Sequence, residues 1–198
     1  MAYDKFNTLI STAVPLPLEN VDTDQIIPAR FLKATERKEF GDNLFRDWRY
    51  NSNNTPKESF ILNNPIYSGK ILIAGKNFGS GSSREHAVWA IYDYGFRCVI
   101  SSFFADIFRN NCLNIGVLPV QVSAEFAEQI FNAIYDNPKT EIEINLENQT
   151  ITILSTGTVE SFDINSYKKD NMLNGFDDID YLQNIKSDIE LFAKDRKF

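Results

Sequence analysis

Residues 70–122 read KILIAGKNFGSGSSREHAVWAIYDYGFRCVISSFFADIFRNNCLNIGVLPVQV, and the alternation of apolar runs within them decides the fold. KILIAG is a short, β-branched run bounded by Gly69 and Gly75, which predicts a buried strand. In REHAVWAIYDYG the apolar residues Ala87, Val88, Ala90, Ile91 and Tyr94 are spaced as on one helical face. Gly95 then stands where a helix C-terminal glycine belongs. RCVISS predicts a second strand, FADIFRNNCLN a second short helix ending at Gly116, and VLPVQV a third strand. A strand–helix–strand–helix–strand order predicts parallel pairing with right-handed crossovers.

Upstream, residues 7–14 (NTLISTAV) read as a strand, and VPLPLEN leads out of it toward VDTDQIIPARFL. Residues 33–59 (KATERKEFGDNLFRDWRYNSNNTPKES) are polar and Asn-rich, so 30–57 read as a long loop with room to be mobile and a short helix at DNLFRDW. Downstream, SAEFAEQIFNAIYDNP is an amphipathic helix stopped by Asn137-Pro138, and EIEINLENQTITIL alternates like a hairpin about Glu147-Asn148. The last forty residues carry two weaker helical patterns, with 190–198 expected to fray. The expected fold class is α/β: one compact domain over 1–198, with a central βαβαβ unit, additional strands, a C-terminal hairpin and helices.

Composition narrows the function. The chain has 198 residues, 43% of them hydrophobic, enough for one buried core. A net charge of −7 argues against a nucleic-acid partner, which calls for a basic face. Cys98 and Cys112 are too few for a disulfide framework or for a complete zinc or iron–sulfur site, so this chain is expected to bind no metal itself. Both are expected as small buried apolar residues of a reducing compartment. The start, MAYDKFNTLISTAVPLPLEN, is broken by polar residues and prolines and does not read as a secretory signal. No stretch approaches the roughly 18–20 apolar residues that span a bilayer. The expected location is the cytoplasm, with no membrane partner.

The segment NFGSGSSREHAVW (77–89) holds small residues, an arginine and the sole histidine where strand gives way to helix. Three named glycine motifs fail on it. The dinucleotide fingerprint needs a third glycine where Arg84 stands, the P-loop needs Gly-Lys-Ser/Thr, and no serine has the flanking glycines of a nucleophile elbow. Ser82 followed by Glu85 matches a capping box, which would make this a capped helix start and nothing more. Alternatively, Gly79 and Gly81 let the backbone approach a ligand, and the helix start offers free N–H donors to an anion. Arg84 then adds a planar fork shaped for a carboxylate. Arginine so early in a helix opposes the macrodipole, which favours the ligand-binding alternative.

GSGSSREHAVWAIYDYG with SSFFADIFRNNCLNIGVLP after it resembles the swivel domain of the aconitase superfamily. PLPLENVDTDQIIPARFL and FGDNLFRDWRY resemble, within it, the small subunits of bacterial 3-isopropylmalate dehydratases. The likeness runs from about residue 10 to about residue 180. It implies isomerisation of 2-isopropylmalate to 3-isopropylmalate by loss and readdition of water, a step of leucine biosynthesis. It also implies a large-subunit partner carrying a [4Fe–4S] cluster, so that each subunit holds part of one active site.

Carried over residue by residue, Ser82 matches the family's catalytic serine, and Ser83 and Arg84 match its substrate-carboxylate contacts. Asp24 matches the acidic residue of the DTD turn, expected to orient an active-site arginine. Arg37 is the candidate for a carboxylate-binding loop arginine, with Arg30 as its rival. Phe31 and Leu32 are expected to approach the isopropyl group of a small dicarboxylate substrate. Two alternatives stay open: a related hydro-lyase (a homoaconitase or a citraconate- or malate-type isomerase), and a stand-alone small-anion-binding module. His86 is read as a packed structural histidine, and Trp48, Trp89, Phe103 and Phe104 as core or subunit interface.

Overall fold

Ile71–Ala74 form a strand buried on both faces, with Ile71 and Ile73 in one apolar cluster and Leu72 and Ala74 in another. A two-residue period with both phases apolar is what a parallel strand covered on both sides requires. The computed structural model that shows this describes residues 3–32 and 40–195. Its strands are β1 (Thr8–Leu16), β2 (Ile71–Ala74), β3 (Cys98–Ser101), β4 (Leu118–Gln121), β5 (Glu141–Asn145), β6 (Thr150–Ile153) and β7 (Thr158–Ser161). Its helices are α1 (Thr23–Ile26), α2 (Arg46–Arg49), α3 (Glu85–Tyr94), α4 (Asp106–Ile115), α5 (Ala124–Asp136), α6 (Ser166–Asn174), α7 (Asp178–Asn184) and α8 (Lys186–Asp195).

The strands form one seven-stranded sheet in the order β4-β3-β2-β1-β5-β6-β7. The expected βαβαβ unit is present, with β2, β3 and β4 in parallel register. β1 joins the two halves of the sheet. Its Ala13–Leu16 half pairs parallel with β2, while its Thr8–Thr12 half pairs antiparallel with β5. Pro15 lies beyond the last β5 pair, Thr12–Glu141, where a residue without an N–H is tolerated. The expected hairpin is β5–β6, and β7 adds an antiparallel edge that sequence patterning did not show.

α3 and α4 cover one face of the parallel half through Ala87, Val88, Ile91, Phe108 and Cys112. α5 covers the other through Phe126, Ala127, Ile130 and Ile134. Full burial of Ile130 and Ile134 is worth about 1.5–3 kcal/mol each.

Two expectations are corrected. The stretch from residue 40 is packed up to Tyr50 rather than an open loop, with the short helix expected at DNLFRDW present as α2, while residues 51–56 are exposed turns. Phe40, Leu44 and Phe45 are at most 3% exposed, and the Phe45 and Trp48 rings stack at 5.6 Å. Widely spaced aromatics anchor it to the body, a pattern that averages over composition conceal. The C-terminal region holds three helices rather than two, and α8 continues to Asp195, inside the stretch expected to fray.

Candidate active site

Past the carboxyl end of β2 the chain turns through Asn77, in left-handed backbone (φ +62°), and the buried Phe78. Asn77 Nδ2 donates to Asn20 Oδ1 at 2.9 Å, and Asn20 is itself left-handed (φ +55°), a conformation asparagine tolerates. These two residues tie the loop after β2 to the loop after β1.

From there the two loops run side by side. The N–H groups of Gly79 and Ser80 donate to the Val21 carbonyl, at 2.8 and 3.2 Å. The Thr23 N–H donates to the Ser80 carbonyl at 2.9 Å, and Thr23 Oγ1 donates to the Ser82 carbonyl at 3.0 Å. Gly79 has φ +78°, and a Cβ there would lie 2.1 Å from the Phe108 ring. Only glycine lets this loop pass so close to α4.

Asp22 caps α1 through a capping box. Its carboxylate accepts from the Gln25 N–H at 2.8 Å, and Gln25 Oε1 accepts from the Asp22 N–H at 2.9 Å. The Asp22-x-x-Gln25 spacing is a sequence-level signal for this cap that the motif reading missed.

The Ser82–Glu85 capping box is not formed. α3 begins at Glu85, so its N-cap is Arg84, in extended backbone and with no side-chain cap bond. That puts Ser82 two residues ahead of the N-cap, where its hydroxyl cannot replace the cap. The Glu85 carboxylate instead accepts from Trp89 Nε1 at 3.2 Å. Ser82 and Ser83 are exposed, and neither hydroxyl makes a hydrogen bond among the described residues.

Arg84 is ion-paired to Asp24, with the arginine side chain 17% exposed and the aspartate 52%. The DTD turn and the serine loop thus meet at their charged ends, with two free hydroxyls beside a held guanidinium. At the start of a ten-residue helix such an arrangement suits a small carboxylate.

The remaining candidates have other bonding or packing partners. Arg30 pairs with Asp47 of α2, and its guanidinium carbon sits 4.7 Å from the centre of the Phe31 ring. The hydrogen bond from Arg30 holds the Asp47 carboxyl below the usual carboxylate range. Phe31 and Leu32 are half-buried against the apolar cluster beneath α3. No hydrogen bond among the described residues joins these three to the serine loop. Arg37 lies outside the described residues. His86 is partly buried between Phe40 and Trp89, with ring centres at 5.7 and 4.4 Å, a packing environment.

The thiols do not fit an iron–sulfur cluster. Cys98 and Cys112 are fully buried in different apolar clusters, and burial pushes both thiols well up. No group of three or more His, Cys, Asp or Glu side chains able to hold a metal occurs among the described residues. Among the described residues no helix is long and apolar enough to cross a membrane.

A family model described as Aconitase C-terminal domain matches residues 3–125, and a second, LeuD_N, matches residues 128–166. The chain is 62% identical to a 3-isopropylmalate dehydratase small subunit of Cytophaga hutchinsonii, over 98% of this chain and 97% of that protein. It is 61% identical to one of Azobacteroides pseudotrichonymphae, over 98% of this chain and all of that protein. The crystal structure of 3-isopropylmalate dehydratase (leuD) from Methanocaldococcus jannaschii is similar at TM-score 0.67 and 26% identity. The match covers 92% of this chain and 98% of that one.

Proposed function

The chain belongs to the family of 3-isopropylmalate dehydratase small subunits, and from that premise we propose how its residues serve an isomerisation of 2-isopropylmalate to 3-isopropylmalate in leucine biosynthesis. The enzyme class is hydro-lyase, and the small-subunit designation implies a large-subunit partner.

The substrate carries a hydroxyl on one carbon and, on the neighbouring carbon, a hydrogen beside a carboxylate. Ser82, acting as an alkoxide, takes that proton and becomes a neutral hydroxyl. The electron pair left behind forms the double bond as the substrate hydroxyl departs. Rehydration runs the steps in reverse, with the hydroxyl and the returning proton exchanging carbons. The [4Fe–4S] cluster, assigned to the large subunit, supplies Lewis acidity toward the departing hydroxyl when bound.

A serine hydroxyl is a very weak acid, so this base needs a preorganised positive environment. Arg84 supplies it while contacting a substrate carboxylate together with Ser83. Asp24 orients the Arg84 fork, and Arg37 completes carboxylate binding. Phe31 and Leu32 form the apolar wall for the isopropyl group, which disfavours a charged carboxymethyl in its place. The assembly works in the cytoplasm.

One observation carries this reading: two unbonded, exposed serine hydroxyls stand directly before an Arg84 held by Asp24 at the start of α3. The test is Ser82→Ala in the enzyme reconstituted with its large subunit. Turnover is expected to fall by at least about 10²-fold, in the range of lost acid–base groups, with the melting temperature unchanged because Ser82 is no cap. Unchanged turnover would remove Ser82 from the chemistry.

A further inference from the structure

Successive residues of the short turn 22–24 grip alternate residues of the serine loop. Asp22 forms a parallel backbone bridge with Ser80, Thr23 reaches the Ser80 and Ser82 carbonyls, and Asp24 pairs with Arg84. Thr23 is the buried member of the three, 2% exposed, and its side chain bonds the residue proposed as base.

We infer that Thr23 is a positioning residue for the reaction: its buried hydroxyl sets the orientation of the Ser82–Ser83 peptide. The inference rests on the reading of Ser82 above. Ser82 follows Gly81, which has φ +88°, and a Cβ at Gly81 would find its nearest neighbour only at 3.4 Å. Neither a side chain nor close packing at Gly81 restrains the chain there. The orientation of Ser82 is therefore imposed from outside the loop.

Thr23 is suited to impose it. A β-branched side chain is stiff about χ1, its N–H is fixed on Ser80, and α1 beneath it is locked by the Asp22–Gln25 capping box. A trans peptide is planar, so a carbonyl and the following N–H point opposite ways. Holding the Ser82 carbonyl inward on Thr23 therefore turns the Ser83 N–H away from Thr23. Among the described residues neither the Ser82 nor the Ser83 N–H donates to any acceptor. The tether thus fixes two side chains and a free backbone donor in one rigid unit.

The experiment compares Thr23→Val, Thr23→Ser and Thr23→Cys in the reconstituted two-subunit enzyme, beside Ser82→Ala. Valine keeps the shape and removes the donor, serine keeps the donor, and cysteine replaces it with a weak one. Thr23→Val is expected to lower kcat about 10- to 100-fold, as a small misplacement of a reacting group does, with KM within about twofold. Thr23→Ser is expected to restore most of kcat, and Thr23→Cys to fall between. If Thr23→Val does not assemble, the serine–cysteine contrast carries the same information.

Equal kcat in all three Thr23 variants, or equal loss in serine and valine, would overturn the positioning role while a dead Ser82→Ala kept the reading of Ser82. A fully active Ser82→Ala would instead overturn that reading itself.

Discussion

Gly79 and Gly81 are both left-handed, yet their surroundings make them unequal. A methyl at Gly79 meets the Phe108 ring at 2.1 Å, so Gly79→Ala adds overpacking to the cost of the left-handed backbone. The sum is about 2–5 kcal/mol. A methyl at Gly81 has its nearest neighbour, Asp22 Cβ, at 3.4 Å, which leaves the backbone cost alone, about 1–2 kcal/mol. Urea unfolding of the two variants is expected to rank Gly79→Ala well below Gly81→Ala, and equal midpoints would contradict the packing difference. The pattern G-x-G was visible in the sequence, but the order of the two costs depends on Phe108, twenty-nine residues further along the chain.

Among the elements, a buried arginine ties the lobe 40–64 together from within. Arg49 is 7% exposed, donates from Nη1 to the Gly41 and Leu44 carbonyls at 3.3 Å, and has no carboxylate partner among the described residues. Its Nε reaches Asn63 Oδ1 at 3.3 Å, and Asn63 Nδ2 donates back to the Arg49 carbonyl at 2.6 Å. Arg49→Ala leaves the Leu44 carbonyl and Asn63 Oδ1 without their donor, at a cost of about 1–3 kcal/mol for a buried unpaired group. Limited proteolysis is expected to cut Arg49→Ala first between residues 40 and 64 while the central sheet stays intact. A cleavage pattern like that of the unmodified chain would show that the lobe is held by its aromatics alone. Nothing in RDWRY distinguishes this arginine from Arg46, which is only half-buried and bonds Asn54 at 2.7 Å. Burial separates them, and burial depends on the fold.

Across the whole molecule, Tyr3 ties the N-terminal segment to the C-terminal helices. Its hydroxyl donates to the Phe176 carbonyl at 2.8 Å, beside Asp177 and Asp178. Burial first, then the nearby Asp178 and Asp177 carboxylates, push its pKa up to about 12. A raised pKa favours the protonated form in the folded state. This stabilisation is complete below the ordinary tyrosine value of 10.0 and is lost as pH rises through about 12. Urea midpoints are expected to fall across that alkaline window in the unmodified chain. Tyr3→Phe should lower stability at neutral pH and flatten that fall. A fall of the same size in Tyr3→Phe would assign it to other groups.

The order β2-α3-β3-α4-β4, the hairpin β5–β6 and the glycine-rich loop were legible because strand, helix and turn periods are local properties of the chain. The resemblance carried by GSSREHA and VDTDQIIP was legible for the same reason: it resides in short contiguous runs. Which residues stand together was not. That β1 serves a parallel partner with one half and an antiparallel one with the other depends on strands paired at separations of 58 and of 129–137 residues in sequence. That Arg84 rather than Ser82 takes the cap position, and that Thr23 holds the Ser82 carbonyl, follow from two loops brought side by side by that sheet. Local patterns carry the free energy of forming each element, whereas the geometry of a site depends on long-range contacts that exist only once the elements have packed.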